Sequence, residues 1–150
     1  MDIAAIWMRI FVGACDNAWL PIQGGTVMSD LTSTIERYLD IWNEPDATRR
    51  AEKIRDVWAA NATYTDPLVS VSGHEAINAL IGAAREQFTG MTFALAGPVD
   101  AHHSVARFTW NLAPAGAAEP VVVGFDVVRA DDDGRLSAVY GFLDRVPTDS

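Results

Sequence analysis

Thiol and imidazole are nearly absent from this chain of 150 residues, which carries one cysteine, Cys15, and three histidines. A lone cysteine cannot close an internal disulfide, and a zinc site built from thiolates has no partners here. A cytoplasmic location is the default expectation. Basic residues are also few, with 11 Lys and Arg against 20 Asp and Glu, for a formal charge of -9. That field repels a phosphate backbone and anionic lipid, so neither nucleic acid nor membrane is an expected partner. No stretch reaches the roughly 18 to 20 apolar residues of a spanning helix. The chain also lacks a Gly-rich phosphate loop, an H-E-x-x-H helix, a G-x-S-x-G elbow, and any carboxylate and histidine set at ligand spacing. Nucleotide, metal and serine-hydrolase chemistry therefore have no signature, and neither cofactor nor metal is expected.

What is present is a chain 49% hydrophobic and 21% charged, too apolar for disorder and long enough for one domain around one core. Residues 1–27 read differently from the rest: their apolar stretch is broken by Arg9 and Asp16 and runs into Gly24-Gly25. Asp2 stands where a signal peptide has a basic start, and no small-residue cleavage site follows. Met28 directly precedes Ser29-Asp30 and an amphipathic pattern. Residues 1–27 are thus expected to be a poorly structured or non-native extension, and 28–150 a single domain.

Within that domain, Ser29 or Asp30 offers a cap for a first helix whose stripe is Leu31, Ile35, Tyr38, Leu39 and Trp42. Asn43-Glu44-Pro45 stops it, and Asp46 caps a second helix with Ala47, Ala51, Ile54 and Trp58 on its buried face. Two-residue alternation over 61–66 predicts a short strand ended by Pro67, and 74–88 predicts a third helix ended by Gly90. Strands are then expected over 91–96, 99–112, 121–130 and 135–144, joined by short turns. Helices segregated from a sheet of this kind make the class α+β. Residues 121–128 are apolar on both faces, more than three helices can cover, which points to a homodimer packed through the sheet.

Three residues fall where a core would not ordinarily place them. Tyr38 is on the apolar stripe of the first helix, Asp66 shares a strand face with Ala62 and Tyr64, and Asp126 sits between Gly124 and Val128 in the most apolar strand. A charged, unpaired carboxylate at such a depth costs several kcal/mol, so Asp126 must find donors or hold a proton. Each residue has an ordinary explanation beside the functional one. Asp126 would pair with Arg107 or a tyrosine hydroxyl, Asp66 would start an Asp-Pro turn, and Tyr38 would be core. His102 and His103 are adjacent on a predicted long strand, so one of them faces the helices, and that one is a candidate base. His74 reads as solvent-facing first-turn chemistry. The aromatic residues Trp42, Trp58, Tyr64, Phe88, Phe93, Phe108, Trp110 and Phe142 would wall a small apolar pocket.

The motifs E-R-Y-L-D-I-W-N, N-A-T-Y-T-D-P with S-G-H-E-A-I, A-G-P-V-D-A-H-H and G-F-D-V-V-R-A-D-D-D-G-R-L carry a resemblance to the SnoaL-like branch of the nuclear-transport-factor-2-like superfamily. It runs from about Leu31 to Arg145. The resemblance implies a cone-shaped roll, in which a curved antiparallel sheet wraps around three helices, encloses a pocket and often dimerises. The residue pattern is also similar to that of ketosteroid isomerase, whose chemistry serves as a worked example of carboxylate tuning. By that likeness Asp66 would be the catalytic base, with Tyr38 and a protonated Asp126 donating to the developing enolate oxygen. Trp42, Trp58, Tyr64, Phe88, His102, Phe108 and Trp110 would contact a small apolar carbonyl compound, in an isomerase-type or polyketide-cyclase-type proton transfer. The isomerase supports its tyrosine with a second Tyr, and where such supporting residues are expected this chain has Trp58 and Ile81. The R-x-D of limonene epoxide hydrolase is not matched, since Phe108 and Thr109 follow Arg107. A dehydratase using His102 or His103 with an aspartate, and a non-catalytic ligand-binding or scaffold protein, are the competing expectations.

Overall fold

Apolar residues recurring on one stripe make the first element a helix. The computed structural model describes residues 24–147, and in it α1 spans Gly24–Asn43. Leu31, Ile35, Tyr38, Leu39 and Trp42 are all buried, as the spacing predicts. The helix starts before its expected caps, carrying Ser29 and Asp30 within its length. The predicted extension lies outside the described residues except for 24–27, which belong to α1.

Asp46 caps α2 (Ala47–Val57) through its side chain, which accepts from the Arg49 N–H at 2.8 Å. Its buried stripe is Arg50, Ile54 and Val57, whereas the expected Ala47 is exposed. Arg50 tolerates burial because it donates to the Glu44 carbonyl at 2.7 Å and to Asn78 Oδ1 at 2.6 Å. The chain passes straight into β1 (Trp58–Thr65), turns at Asp66-Pro67 into β2 (Ser70–Ser72), and enters α3 (His74–Gln87). His74 is not a solvent-facing residue: its Nε2 lies 2.9 Å from the carbonyls of both Trp58 and Ala59, tying α3 to β1.

The remaining strands are β3 (Met91–Leu95), β4 (Asp100–His102), β5 (Val105–Pro114), β6 (Val122–Ala130) and β7 (Leu136–Arg145). The predicted single strand over 99–112 is in fact the hairpin β4–β5, which turns at His103-Ser104 with His103 at φ 51°. The sheet order is β2-β1-β7-β6-β5-β3, with β4 also on β5. Every pairing is antiparallel except β1 with β7, which is parallel. Register shifts in β1, β6 and β7 bend the sheet into a curved, unclosed wrap around the helices. The α+β architecture is the expected one.

Two contacts decide where the site lies. The side-chain amide of Asn43, the last residue of α1, donates to the Phe93 carbonyl at 2.9 Å and accepts from its N–H at 2.7 Å. That clamp fixes α1 to β3 and brings Trp42 and Phe93 to 5.4 Å between ring centres. On β5 and β6 the inward positions are Ala106, Phe108, Trp110, Leu112 and Val122, Gly124, Asp126, Val128. The opposite face carries Val123, Phe125 and Val127, half-buried, beside Tyr140 and Phe142, which are 46% and 53% exposed. No helix among the described residues is long and apolar enough to cross a membrane.

Candidate functional site

Between α1, α3 and the concave face of the sheet is a cavity of about 540 Å³, within the range of small-molecule sites. Its walls include Trp42, Phe88, Phe93, Trp110, Leu112 and Leu143. Among the described residues, Asp66 and Asp126 are its only charged lining residues, and neither Arg, Lys nor His lines it. Among the described residues there is no cluster of His, Cys, Asp and Glu able to hold a metal ion.

Asp126 is 2% exposed, and both of its oxygens are engaged. The Tyr38 hydroxyl donates to Oδ2 at 2.8 Å, and the Trp110 indole N–H donates to Oδ1 at 3.0 Å. Arg107, a candidate partner from the sequence, points outward instead and pairs with Asp100 at 2.9 Å. Burial pushes the Asp126 carboxyl up from 3.8 to about 6, opposed by the two donors and reinforced by the nearby charge of Asp66. Burial, and then the charge of Asp126, likewise holds the Tyr38 hydroxyl well above its ordinary value. Tyr64 is raised for the same reasons, with Asp66 adding to the effect.

Asp66 performs the turn role that Asp-Pro suggests: its Oδ1 accepts from the N–H groups of Leu68 and Val69 at 2.8 and 2.9 Å. Its other oxygen accepts from the Tyr64 hydroxyl at 2.9 Å. The two pairs, Tyr38 with Asp126 and Tyr64 with Asp66, meet at Gly141. A Cβ there would stand 3.1 Å from Asp126 Oδ1, 3.4 Å from Asp66 Cβ and 3.5 Å from the Tyr64 oxygen. One small volume is thus flanked by two carboxylates and a phenol, and glycine keeps it open.

Of the residues singled out by sequence, Tyr38, Asp66, Asp126, Trp42, Tyr64, Phe88, Phe93, Trp110 and Phe142 line the cavity. Four do not. Trp58 and Phe108 are fully buried behind Tyr38, with ring centres 5.6 and 6.0 Å from its ring. His102 and His103 are exposed at the β4–β5 turn, because that turn replaces the long strand whose alternation would have aimed one of them inward. Sequence reasoning missed Gly141 and Gly124, and the hydrogen-bonding role of Trp110. The only signal was glycine twice before phenylalanine, in V-V-G-F and V-Y-G-F.

A profile of the SnoaL-like domain matches residues 35–139. Among solved structures, a proposed isomerase of the SnoaL-like family from Agrobacterium tumefaciens is 40% identical, with a TM-score of 0.73, over 78% of this chain and 99% of that one. Two more distant structures share the fold alone. A proposed polyketide cyclase from Sinorhizobium meliloti is 15% identical with a TM-score of 0.58, over 73% of this chain and 93% of its own. An epoxide hydrolase of the LEH-like type from M. tuberculosis is 13% identical with a TM-score of 0.55, over 78% and 84%. No curated protein matches the chain.

Proposed function

The chain belongs to the SnoaL-like domain family, and from the chemistry of its cavity we propose that it catalyses proton transfer next to the carbonyl of a small apolar substrate. The observation that carries this reading is the convergence of Asp66, Asp126 and Tyr64 on the volume beside Gly141, with Tyr38 joined to Asp126. Asp66 removes the proton from the carbon beside the carbonyl. The enolate oxygen then accepts from the Tyr38 hydroxyl and from protonated Asp126, which must both turn from each other toward it. Isomerisation of a β,γ-unsaturated carbonyl ends when Asp66 returns the proton to the γ-carbon of the resulting dienolate. Cyclisation ends when the enolate carbon attacks a second carbonyl of the same molecule, whose oxygen takes the proton. Neither route calls for a cofactor.

The lining also bears on the substrate's charge. Two carboxylates with no cation beside them among the described residues disfavour a substrate bearing a free carboxylate or phosphate, so an uncharged compound fits best. The isomerase assignment of the Agrobacterium relative is in keeping with this chemistry.

One observation favours a non-catalytic ligand-binding protein of the same fold: the Tyr38 hydroxyl and every oxygen of Asp66 and Asp126 already have partners within the chain. A fluorescent naphthol separates the two readings, since its ionised oxygen imitates an enolate. Ionised 2-naphthol is expected to bind the wild type and to lose roughly 10²-fold or more in affinity in Tyr38→Phe and in Asp126→Asn. Equal, weak binding to all three proteins would overturn the catalytic reading.

A further inference from the structure

Asp126 faces glycine across the ladder on β7, and Trp110 faces glycine across the ladder on β6. Asp126 pairs with Gly141 and Trp110 with Gly124. The second pairing is sterically obligatory: a Cβ on Gly124 would stand 2.0 to 2.1 Å from Cζ2 and Cε2 of the Trp110 indole. The indole therefore packs directly against Gly124 of β6, placed so that its N–H donates to Asp126 Oδ1 at 3.0 Å. That same oxygen overhangs Gly141 toward Asp66 and Tyr64.

We propose that Trp110 is a positioning residue for Asp126, aiming its indole N–H at the carboxyl oxygen nearest the reaction volume, and that Gly124 is glycine so that the indole can lie there. Tryptophan is suited to this because indole N–H only donates: it cannot turn round and accept, so the oxygen it meets must act as an acceptor. With Oδ1 engaged by Trp110 and Oδ2 by Tyr38, the carboxyl group has one orientation, and release of Tyr38 toward a substrate leaves Trp110 still holding it. The importance of this for turnover rests on the function proposed above, whereas the geometry and its test do not.

Among the described residues, the ionisable groups facing Asp126 are Tyr38 from α1 and Tyr64 and Asp66 from β1 and its turn. The cavity residues contributed by α3, β3, β5 and β7 carry no charge. A change in Asp126 titration after altering Trp110 thus reports the indole itself. The experiment uses the intact protein with no ligand, following the Asp126 carboxyl carbon and the Trp110 indole N–H by NMR across pH. The first is assigned by its loss in Asp126→Asn and the second by its loss in Trp110→Phe.

In the wild type both resonances are expected to move with one midpoint. In Trp110→Phe, which keeps an aromatic ring and removes the donor, the Asp126 midpoint should rise by about one pH unit. In Gly124→Ala it should rise likewise, while the indole ceases to follow it. A merely structural tryptophan would lower stability in both variants and leave the midpoint where it was. An Asp126 midpoint unmoved or lowered in Trp110→Phe overturns the proposal, as does an indole that still tracks Asp126 in Gly124→Ala. Should Gly124→Ala fail to fold, Trp110→Phe decides alone. Failure here with tight naphthol binding would leave the proposed function standing, and naphthol failure with the shifts observed would leave Trp110 its role.

Discussion

Burial and a neighbouring carboxylate push the Asp126 proton on, while Tyr38 and Trp110 pull it off, and burial wins with a value near 6. The folded chain consequently holds this proton more tightly than the unfolded chain, where an aspartate titrates near 4. A group raised on folding stabilises fully below its unfolded value, and that contribution is lost as pH rises through about 6. Between pH 4.5 and 7.5 the loss amounts to about 2 kcal/mol by the linkage relation. Urea unfolding of the wild type and of Asp126→Asn at those two pH values should show the difference in stability moving by about that much in favour of Asn at the higher pH. A difference that stays constant would mean that Asp126 titrates like an exposed carboxylate. Naphtholate binding should weaken over the same range in the wild type, since the oxyanion needs the proton that Asp126 is giving up.

Across β5, β6 and β7 two inward side chains, Trp110 and Asp126, each stand opposite a glycine, and this is where substitution discriminates best. Gly141→Ala puts a methyl against Asp126 Oδ1, Asp66 and Tyr64 at 3.1 to 3.5 Å. Far-UV circular dichroism should remain that of the wild type, while 2-naphthol affinity falls roughly tenfold or more, the scale of an added methyl in a tight space. Unchanged affinity would move the binding point away from Gly141. Elements with a repeating pattern were legible in the sequence: the stripe of α1, the third helix, and β6 with its buried Asp126 all lie where spacing puts them. The β4–β5 hairpin was not, because His103-Ser104 carries none of the Asn or Gly that usually marks a tight turn. Nor was the burial of Arg50, which depends on a carbonyl and an amide supplied by other segments. The three polar site residues could be named from pattern and resemblance. The Trp110 hydrogen bond could not, since it depends on which glycine stands opposite across a ladder.

At the scale of the molecule, the sheet has one face on the helices and one that no element among the described residues covers. Val123, Phe125, Val127, Tyr140 and Phe142 form a continuous apolar row on that second face, with Phe125 and Phe142 at 6.5 Å between ring centres. We propose that a second copy covers it. Sedimentation equilibrium should give twice the chain mass, and Phe125→Glu should give the single-chain mass with naphthol affinity retained, because Phe125 does not line the cavity. A wild type that sediments as one chain at micromolar concentration would rule this out. The tryptophans offer a different consequence of the same packing. Of five in the chain, Trp7 and Trp19 lie outside the described residues, and the other three crowd the site. Trp42 and Trp58 have ring centres 6.3 and 5.6 Å from that of Tyr38, and Trp110 shares Asp126 with it. Trp42 and Trp110 line the cavity and Trp58 packs behind Tyr38, so these three indoles form a built-in optical probe, and a compound entering the cavity should change the protein's ultraviolet emission without a label.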